Sequence, residues 1–343
     1  MIIPNTKTRK KLKAAIIGLG HQAWEDHIPA IKDVIGVKLV AVSEIDEKKV
    51  KAFSRKNKKV KNYKDFNLLL EKEKPDFIIV ALPHHLHWEV IKSAAQKKIH
   101  ILKEKPFAVS LKQARQMHQI AEKNKVQIVV TLQRRFNPIY STFFQLIDKI
   151  GRPFYIDATY CFCTDNPHGG WRGKRKLAGG GCLIDMGYHL IDILVWYFGL
   201  PDNVFAEMSC TAKERASYDA EDTARVIFRY SQKSIWGSLL VSRVIPPKRE
   251  RIEIYGTGGF ICLERGKIER YSASGDLEES LKREHSWPSA ARDQIEYFVK
   301  VLQNIRENVS GPEFHFNHLA FIEAAYKSAE ENKYINPKNF LEL

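Results

Sequence analysis

Cysteine is scarce in this 343-residue chain, and long apolar runs, internal repeats and low-complexity linkers are lacking. The five cysteines are odd in number and too few for a disulfide scaffold. Cys161-Phe162-Cys163 looks like half of a zinc site, but no second cysteine pair completes it, and we predict no metal. No run of about 18 apolar residues could span a bilayer, and Met1-Ile2-Ile3-Pro4 leads into polar residues instead of the apolar core of a secretory signal. We therefore expect a soluble, cytoplasmic protein with no membrane partner.

The net charge of the chain is strongly positive, at +15. Its lysines are scattered through Lys7–Lys13, Lys48–Lys64 and Lys72–Lys74 without interleaved aromatic residues. This pattern indicates a solvated surface rather than a nucleic-acid site, so we expect no nucleic-acid partner. A positive field still favours anionic ligands such as dinucleotides and phosphorylated or uronic sugars.

The length of the chain suggests two domains, since one domain commonly spans about 100–200 residues. Residues 13–135 alternate short apolar strands with helices, which predicts an α/β domain of the Rossmann type with a doubly wound parallel sheet. The predicted strands are Ala14–Ile17, Lys38–Ser43, Phe77–Ala81, His100–Leu102 and Gln127–Thr131. The predicted helices are Glu47–Lys56, His87–Gln96 and Leu111–Lys123, the last of them capped by Ser110.

Residues 136–343 contain longer segments with one apolar face, which predicts an α+β domain on a large, mostly antiparallel open sheet. The predicted strands are Phe154–Phe162, Val204–Ala212, Thr223–Tyr230, Ser234–Val241, Arg251–Tyr255 and Phe260–Glu264. The predicted helices are Gly181–Phe198, Pro288–Glu307 and Asn317–Glu331, and we expect the last to pack back on the first domain. We also expect disorder in residues 1–12, and a homodimer or homotetramer that covers the open sheet.

A glycine-rich turn follows the first predicted strand. Gly18-Leu19-Gly20-His21-Gln22-Ala23 matches GxGxxA, whose backbone N–H groups can bind a pyrophosphate at the start of a helix. The next strand ends at Glu44, 26 residues after Gly18, where a carboxylate can accept hydrogen bonds from both ribose hydroxyls and repel a 2′-phosphate. We therefore predict NAD in preference to NADP, although Lys48 and Lys49 follow closely.

Lys105, Asp185 and His189 can supply the chemistry of hydride transfer. Oxidation of a secondary alcohol needs a base for the hydroxyl proton and a cation or donor for the developing alkoxide. A histidine with an ordinary pKa of about 6.5 suits the first role better than a lysine at about 10.4. We assign His189 as the base and Lys105 as the alkoxide stabiliser and substrate anchor. Asp185, four residues before His189 on a predicted helix, can orient the imidazole or bind a neighbouring hydroxyl.

The chain resembles the Gfo/Idh/MocA oxidoreductases, the family of glucose–fructose oxidoreductase and inositol dehydrogenase. The resemblance covers about residues 13–335 and rests on the glycine turn, Ala81–His87, Glu104-Lys105-Pro106, Gly179–Asp192 and the strand pattern of Glu221–Glu264. It implies that Lys105 and His189 flank the hydroxyl-bearing carbon, assisted by Asp185. It further implies that the nicotinamide lies near Pro83, His87 and Glu104, and that the Lys105-Pro106 peptide bond is cis.

The predicted binding residues form two sets. The predicted cofactor-binding residues are Gly18, Gly20, His21, Gln22, Ala23, Glu44, Leu82, Pro83, His84, His87, Glu104 and Lys105. The predicted substrate-binding residues are Lys105, Arg135, Trp171, Arg172, Asp185 and His189. Arg134 is an alternative to Arg135, and an ion pair between domains is the alternative role for either arginine. Asp192 can hold a substrate hydroxyl or stabilise the helix interior.

The sequence thus predicts an NAD(P)-dependent enzyme that transfers a hydride between nicotinamide and a secondary alcohol or ketone. The expected substrate is a sugar, an inositol or a nucleotide-linked sugar. The alternative is a non-catalytic regulator that senses dinucleotide or sugar on the same fold. Lys105, Asp185 and His189 favour the enzyme, because a sensor needs no proton chemistry. The residues of the loop Asp165–Lys176 do not indicate which substrate is bound.

Overall fold

A computed structural model describes residues 11–164, 169–210, 218–283 and 287–342 of the chain. Three predictions concern residues that lie partly outside the described ranges: the predicted disorder of residues 1–12, the loop predicted at residues 165–176 and the end of the strand predicted at residues 204–212. Leu12, which was included in the predicted disorder, begins the first strand, so that prediction is wrong at this residue.

Six parallel strands form the first sheet: β1 (Leu12–Ile17), β2 (Val37–Ser43), β3 (Lys61–Tyr63), β4 (Phe77–Val80), β5 (His100–Lys103) and β6 (Ile128–Val130). Their order, β3-β2-β1-β4-β5-β6, is that of a doubly wound dinucleotide-binding sheet and confirms the predicted Rossmann type. Every residue of β4 is buried, as expected for a strand covered on both faces.

Five helices connect these strands: α1 (Ile28–Asp33), α2 (Glu47–Lys56), α3 (Phe66–Glu73), α4 (His87–Gln96) and α5 (Leu111–Asn124). The Ser110 hydroxyl accepts a hydrogen bond from the backbone N–H of Gln113, which confirms its predicted role as the cap of α5. A π-helical segment, Ala23–His27, leads from the glycine turn into α1. Strand β3 and helices α1 and α3 were not predicted.

Eight strands form the second sheet: β7 (Pro153–Cys163), β8 (Asn203–Ser209), β9 (Thr223–Tyr230), β10 (Ile235–Ser242), β11 (Val244–Gly256), β12 (Gly259–Glu264), β13 (Lys267–Ser272) and β14 (Leu277–Lys282). Their order is β14-β13-β12-β11-β7-β10-β9-β8. Among the described strands of this second sheet, only the β7–β10 pairing is parallel, which confirms the predicted mostly antiparallel sheet.

The helices of this second half are α6 (Pro138–Leu146), α7 (Arg175–Ala178), α8 (Tyr188–Phe198), α9 (Trp287–Leu302) and α10 (Phe316–Glu331). A second π-helical segment, Leu183–Gly187, runs directly into α8. Helix α9 packs on the first sheet, where the Phe298 ring meets Phe77 edge-on with centroids 5.3 Å apart. Helix α10, which we expected to pack back on the first domain, packs mainly against β8 and also contacts α5 of the first domain.

The segment Arg175–Phe198 is long and apolar enough to cross a membrane by length and composition alone. In the structure, however, 83% of its most apolar window is buried inside the protein. The core helix of a folded protein can have the same length and composition. These two properties are therefore weak evidence for a membrane span.

An aromatic stripe runs across one face of the second sheet and crosses five strands. Its members are Trp236, Tyr155, Tyr255, Phe260 and Tyr271, and neighbouring ring centroids lie 4.6, 5.9, 5.2 and 4.5 Å apart in that order. Trp236 is 52% exposed. The other four rings are half-buried. A row of rings that is partly open to solvent is typical of a surface that another protein surface covers.

Candidate active site

A cavity of about 520 Å³ lies where β1, β2, β4 and β5 end, the edge at which doubly wound sheets bind their ligands. Its walls include these predicted cofactor residues: Gly18, Gly20, His21, Gln22, Glu44, Leu82, Pro83, His84, Glu104 and Lys105. They also include the predicted substrate residues Lys105, Trp171, Arg172 and Asp185. Ala23 and His87 are buried behind this lining, and Arg135 and His189 are not part of it.

Gly18 has a backbone conformation and a surrounding space that only glycine fits. Its φ of +94° lies in the left-handed region, and a Cβ atom there would lie 2.4 Å from the carbonyl oxygen of Ala81. The turn therefore brings bare backbone to the cavity wall, as close approach to a pyrophosphate requires.

Glu44 holds the turn from the neighbouring strand. Its Oε2 accepts a hydrogen bond of 2.8 Å from the backbone N–H of Leu19, and its Oε1 accepts one of 3.0 Å from the N–H of Asp46. The carboxylate is thus fixed at the end of β2, on the cavity wall. A negative group in this position favours ribose hydroxyls as neighbours and opposes a phosphate.

Lys105 and Asp185 meet on the cavity wall from opposite halves of the chain. The Lys105 ammonium donates hydrogen bonds to the Asp185 side-chain Oδ1 at 2.8 Å and to the Asp185 backbone oxygen at 2.7 Å. The Lys105-Pro106 peptide bond is cis, as predicted. Asp185 therefore contacts the lysine, whereas sequence spacing alone had pointed to the imidazole of His189 or a substrate hydroxyl.

Two further cations surround the Asp185 carboxylate. Its Oδ2 lies 3.2 Å from Nε of Arg172 and 3.3 Å from Nη2 of Arg243. Burial opposes ionisation of this carboxyl, but Lys105 and the two arginines outweigh that effect and hold the pKa of Asp185 well below its usual value. Arg243, which is 3% exposed, was not predicted, because no motif surrounds it in the sequence.

His189 is the second residue of α8 and is partly buried. Within the described ranges, no hydrogen bond joins its ring to Lys105 or Asp185. Burial lowers the pKa of His189 well below its usual value, and the cations of Arg134 and Lys105 lower it further. The ring is therefore neutral at pH 7, the form that can accept a proton.

Two of the three histidines after β4, His84 and His87, contact backbone carbonyls. Nδ1 of His84 lies 2.8 Å from the Ala178 oxygen, and Nε2 of His87 lies 2.8 Å from the Leu82 oxygen. Burial lowers the pKa of His84 to about 3, so the ring is neutral. Among the described residues, one group with metal-binding geometry is present elsewhere, formed by His118, Glu122 and Glu313.

Glu104 is held from behind the cavity by a buried histidine. Nε2 of His27, in the first π-helical segment, lies 2.7 Å from Oε1 of Glu104. Burial opposes ionisation of Glu104, but His27 and Lys105 outweigh it, and the pKa of this carboxyl lies below its usual value. His27 was not predicted to belong to the site.

Arg134 and Arg135 have different partners. Both carboxylate oxygens of Asp192, a residue only 1% exposed, accept hydrogen bonds from Arg135, so this arginine forms the ion pair that was the alternative to a substrate role. Nε of Arg134 donates to Glu250, but its Nη1 is buried and has no hydrogen-bond partner among the described residues. Arg134 is also the foremost cation acting on His189.

Glu221 caps the helical stretch that carries Asp185 and His189. Its carboxylate accepts hydrogen bonds from the backbone N–H groups of Gly181 at 2.7 Å and Leu183 at 3.0 Å, and from the Tyr326 hydroxyl at 2.9 Å. A buried carboxylate at a helix start satisfies donors that the helix itself leaves free. Glu221 was not predicted to have this role.

The sheet order, the glycine turn and the Glu44 carboxylate together define an NAD-binding oxidoreductase domain. Residues 12–132 match the family described as "Oxidoreductase family, NAD-binding Rossmann fold", and residues 142–262 match the "GFO/IDH/MocA C-terminal domain". The chain belongs to the Gfo/Idh/MocA family of oxidoreductases.

Named relatives cover between 76% and 99% of this chain. D-apiose dehydrogenase of Paraburkholderia graminis is 24% identical over an alignment that covers 99% of this chain and 93% of that protein. The scyllo-inositol 2-dehydrogenase (NADP(+)) of Bacillus subtilis is 25% identical and covers 76% of this chain and 78% of its own length. The structure of levoglucosan dehydrogenase with NADH and levoglucosan shares the fold, with a TM-score of 0.85 at 19% identity over 95% of this chain and 99% of that one.

Proposed function

We propose that this protein is an NAD-dependent dehydrogenase or reductase that transfers a hydride between nicotinamide and a secondary alcohol or ketone carbon of a sugar, an inositol or a nucleotide-linked sugar. One observation carries the proposal. The Lys105–Asp185 pair, with Nζ and Oδ1 2.8 Å apart, lies on the wall of the cavity that the glycine turn and Glu44 also line. A reacting carbon in this cavity can therefore meet a cation and a dinucleotide together.

The residues at the carboxyl edge of the first sheet fit a dinucleotide. Gly18 leaves a space that a Cβ atom would fill, and the fixed Glu44 carboxylate suits a ribose without a 2′-phosphate. When bound there, the dinucleotide supplies the hydride acceptor or donor. This arrangement supports NAD as the preferred cofactor of this chain, even though a family member from Bacillus subtilis is named as NADP(+)-dependent.

Lys105 and His189 have separate roles in alcohol oxidation. The neutral His189 ring takes the hydroxyl proton, and the Lys105 ammonium donates a hydrogen bond to the alkoxide oxygen. Asp185 holds the lysine in place through its own side chain and backbone oxygen. In ketone reduction the proton moves the other way, from His189 to the substrate oxygen.

Arg134 is the better candidate than Arg135 for contact with the substrate. A buried guanidinium N–H without an acceptor is costly, and a substrate oxygen near His189 would satisfy Nη1 of Arg134. Trp171 and Arg172 line the same cavity as Lys105, so we keep them as substrate-side residues. The sugar and polyol activities named for the relatives support the substrate class.

A spectrophotometric screen at about 340 nm tests this function, since reduced nicotinamide is measured directly. NAD and NADP are each offered with inositols, hexoses, sugar phosphates and nucleotide sugars. We expect turnover with NAD that Lys105→Ala and His189→Ala abolish and that the surface control Lys72→Ala retains. Dinucleotide binding without turnover on any substrate would instead support the sensing regulator.

We also propose that the aromatic stripe pairs with its counterpart on another copy, which gives a homodimer or homotetramer. Trp236, 52% exposed, supports this, because burial of such rings stabilises an interface. Light scattering after gel filtration is expected to show an oligomer that Trp236→Glu weakens; a wild-type monomer would refute the proposal. A cytoplasmic location and the absence of nucleic-acid and membrane partners remain predictions.

A further inference from the structure

Lys103 is a fully buried lysine at the end of β5, two residues before Lys105. Its side chain is 0% exposed, and its Nζ donates hydrogen bonds to the backbone oxygens of Pro106 at 2.5 Å and Phe107 at 2.7 Å. Lysine is rarely buried to this extent, because burial removes the water around the amine, and this loss is costly unless hydrogen bonds to the protein replace it. Both acceptors belong to the turn that follows Lys105.

The number of acceptors matches a neutral amine. Burial lowers the pKa of Lys103 well below its usual value, against a smaller opposing effect of Glu104. A neutral amine carries two N–H donors, and the structure supplies two carbonyl acceptors. The side chain is therefore satisfied by the turn itself.

The same turn is held on its other side by the helix that carries His189. The backbone N–H of Phe107 donates to the Tyr188 hydroxyl at 3.3 Å. Directly before this attached turn, Lys105 extends towards Asp185 and reaches both its backbone and its side-chain oxygen. The position of the Lys105 ammonium thus depends on a backbone turn that Lys103 ties down from inside the first domain.

We propose that Lys103 is a positioning residue, which fixes the Pro106–Phe107 turn so that Lys105 stays against Asp185. The inference rests on the proposed function in that Lys105 is taken as the alkoxide stabiliser. Lys103 has no access to substrate and takes no part in proton transfer. Its loss should release Lys105 without disturbing the glycine turn or Glu44.

Competitive labelling of lysines with acetic anhydride tests the positioning directly and needs no enzymatic activity. Lys105 is only 18% exposed in its side chain and is paired with Asp185, so it should react slowly compared with Lys72 on α3. In Lys103→Met we expect the labelling of Lys105 relative to Lys72 to rise at least about threefold, because two hydrogen bonds that order the turn are gone. Lys92→Met, an exposed lysine on α4, is the matched control and should leave the ratio unchanged. An unchanged Lys105 ratio in folded Lys103→Met would overturn the proposal.

Steady-state kinetics give a second test, because loss of a lysine with a purely structural role would not change kcat. We expect kcat of Lys103→Met to fall about tenfold while the Kd for NAD, measured by protein fluorescence, stays within about twofold, since only the transition-state contact of Lys105 is lost. A loss that appears only as weaker NAD binding or lower thermal stability, with kcat unchanged, would argue against positioning.

Two provisions keep the test decisive. If Lys103→Met does not fold, Lys103→Gln carries the same labelling test, because its amide is one atom shorter and cannot keep both hydrogen bonds. Raised labelling of Lys105 in that variant supports the proposal, and unchanged labelling overturns it. If the wild-type protein shows no turnover on any substrate, the proposed function fails, yet the labelling ratio still decides whether Lys103 positions Lys105.

Discussion

Replacing Glu221 with alanine should destabilise the helical stretch that carries Asp185 and His189. The carboxylate accepts hydrogen bonds from Gly181 and Leu183, at 2.7 and 3.0 Å, and a third from the Tyr326 hydroxyl at 2.9 Å. A hydrogen bond to a charged group contributes about 1.5–3 kcal/mol, so the two backbone bonds alone amount to about 3–6 kcal/mol. Burial raises the pKa of Glu221, which shows that the loss of hydration offsets part of this gain.

We therefore expect Glu221→Ala to lower the free energy of unfolding by about 3 kcal/mol. Unfolding entropy is about 2.1 cal/mol/K per residue, so for 343 residues a loss of this size lowers Tm by about 4 °C. Differential scanning fluorimetry measures the shift. Tyr326→Phe, which removes one hydrogen bond to the carboxylate, should lose only about 1.5 kcal/mol, and Glu207→Ala on the exposed side of β8 should lose nothing measurable. A Tm of Glu221→Ala within about 1 °C of the wild type would refute the capping argument.

Three further outcomes follow from the site. Gly18→Ala should abolish NAD binding in calorimetry, because its Cβ would lie 2.4 Å from the Ala81 oxygen; binding within about threefold of the wild type would contradict this. Because the pKa of His189 is lowered, its neutral form persists as pH falls. The acid limb of the pH profile of kcat/KM for alcohol oxidation should therefore lie below about pH 6.5. An acid limb at or above that pH would be inconsistent with His189 as the base. Arg135→Ala should cost about 3 kcal/mol of stability, because the buried Asp192 carboxylate would keep only the His318 imidazole, whose Nε2 lies 3.2 Å from its Oδ1, as a partner. KM for the substrate should stay unchanged in steady-state kinetics, and a raised KM in a stable variant would restore the substrate role.

Helices and strands could be predicted from the sequence where the apolar pattern was strong and where capping residues marked the ends of an element. Helices Glu47–Lys56 and His87–Gln96 were predicted to the residue, and the Ser110 cap was confirmed. Strands Lys267–Ser272 and Leu277–Lys282 were not predicted, because half of the residues in each are charged, and Leu277–Lys282 is the edge strand of the second sheet. A strand that buries little apolar surface has little alternation to detect.

The site was predictable where chemistry and motif coincide within a few residues of the chain. Glu44 ends a predicted strand, and Lys105 and Asp185 each belong to a short motif, so their presence at one cavity agrees with the sequence. Arg243 approaches Asp185 from far along the chain, and no local pattern reveals it. Arg134 and Arg135 are adjacent in one short turn, yet one pairs with Glu250 and the other with Asp192. Spacing cannot separate such neighbours, because tertiary packing selects the partner of each.

The π-helical segment Leu183–Gly187 makes the site more sensitive to changes in chain length than to many substitutions. A π-helical turn holds one residue more than the α-helix around it. Deletion of a single residue here would let the stretch relax to a continuous α-helix, and Asp185 would rotate about the helix axis relative to His189 in α8. Among natural variants of this sequence, the stretch from Gly181 to His189 should therefore keep a constant length even where its apolar side chains vary.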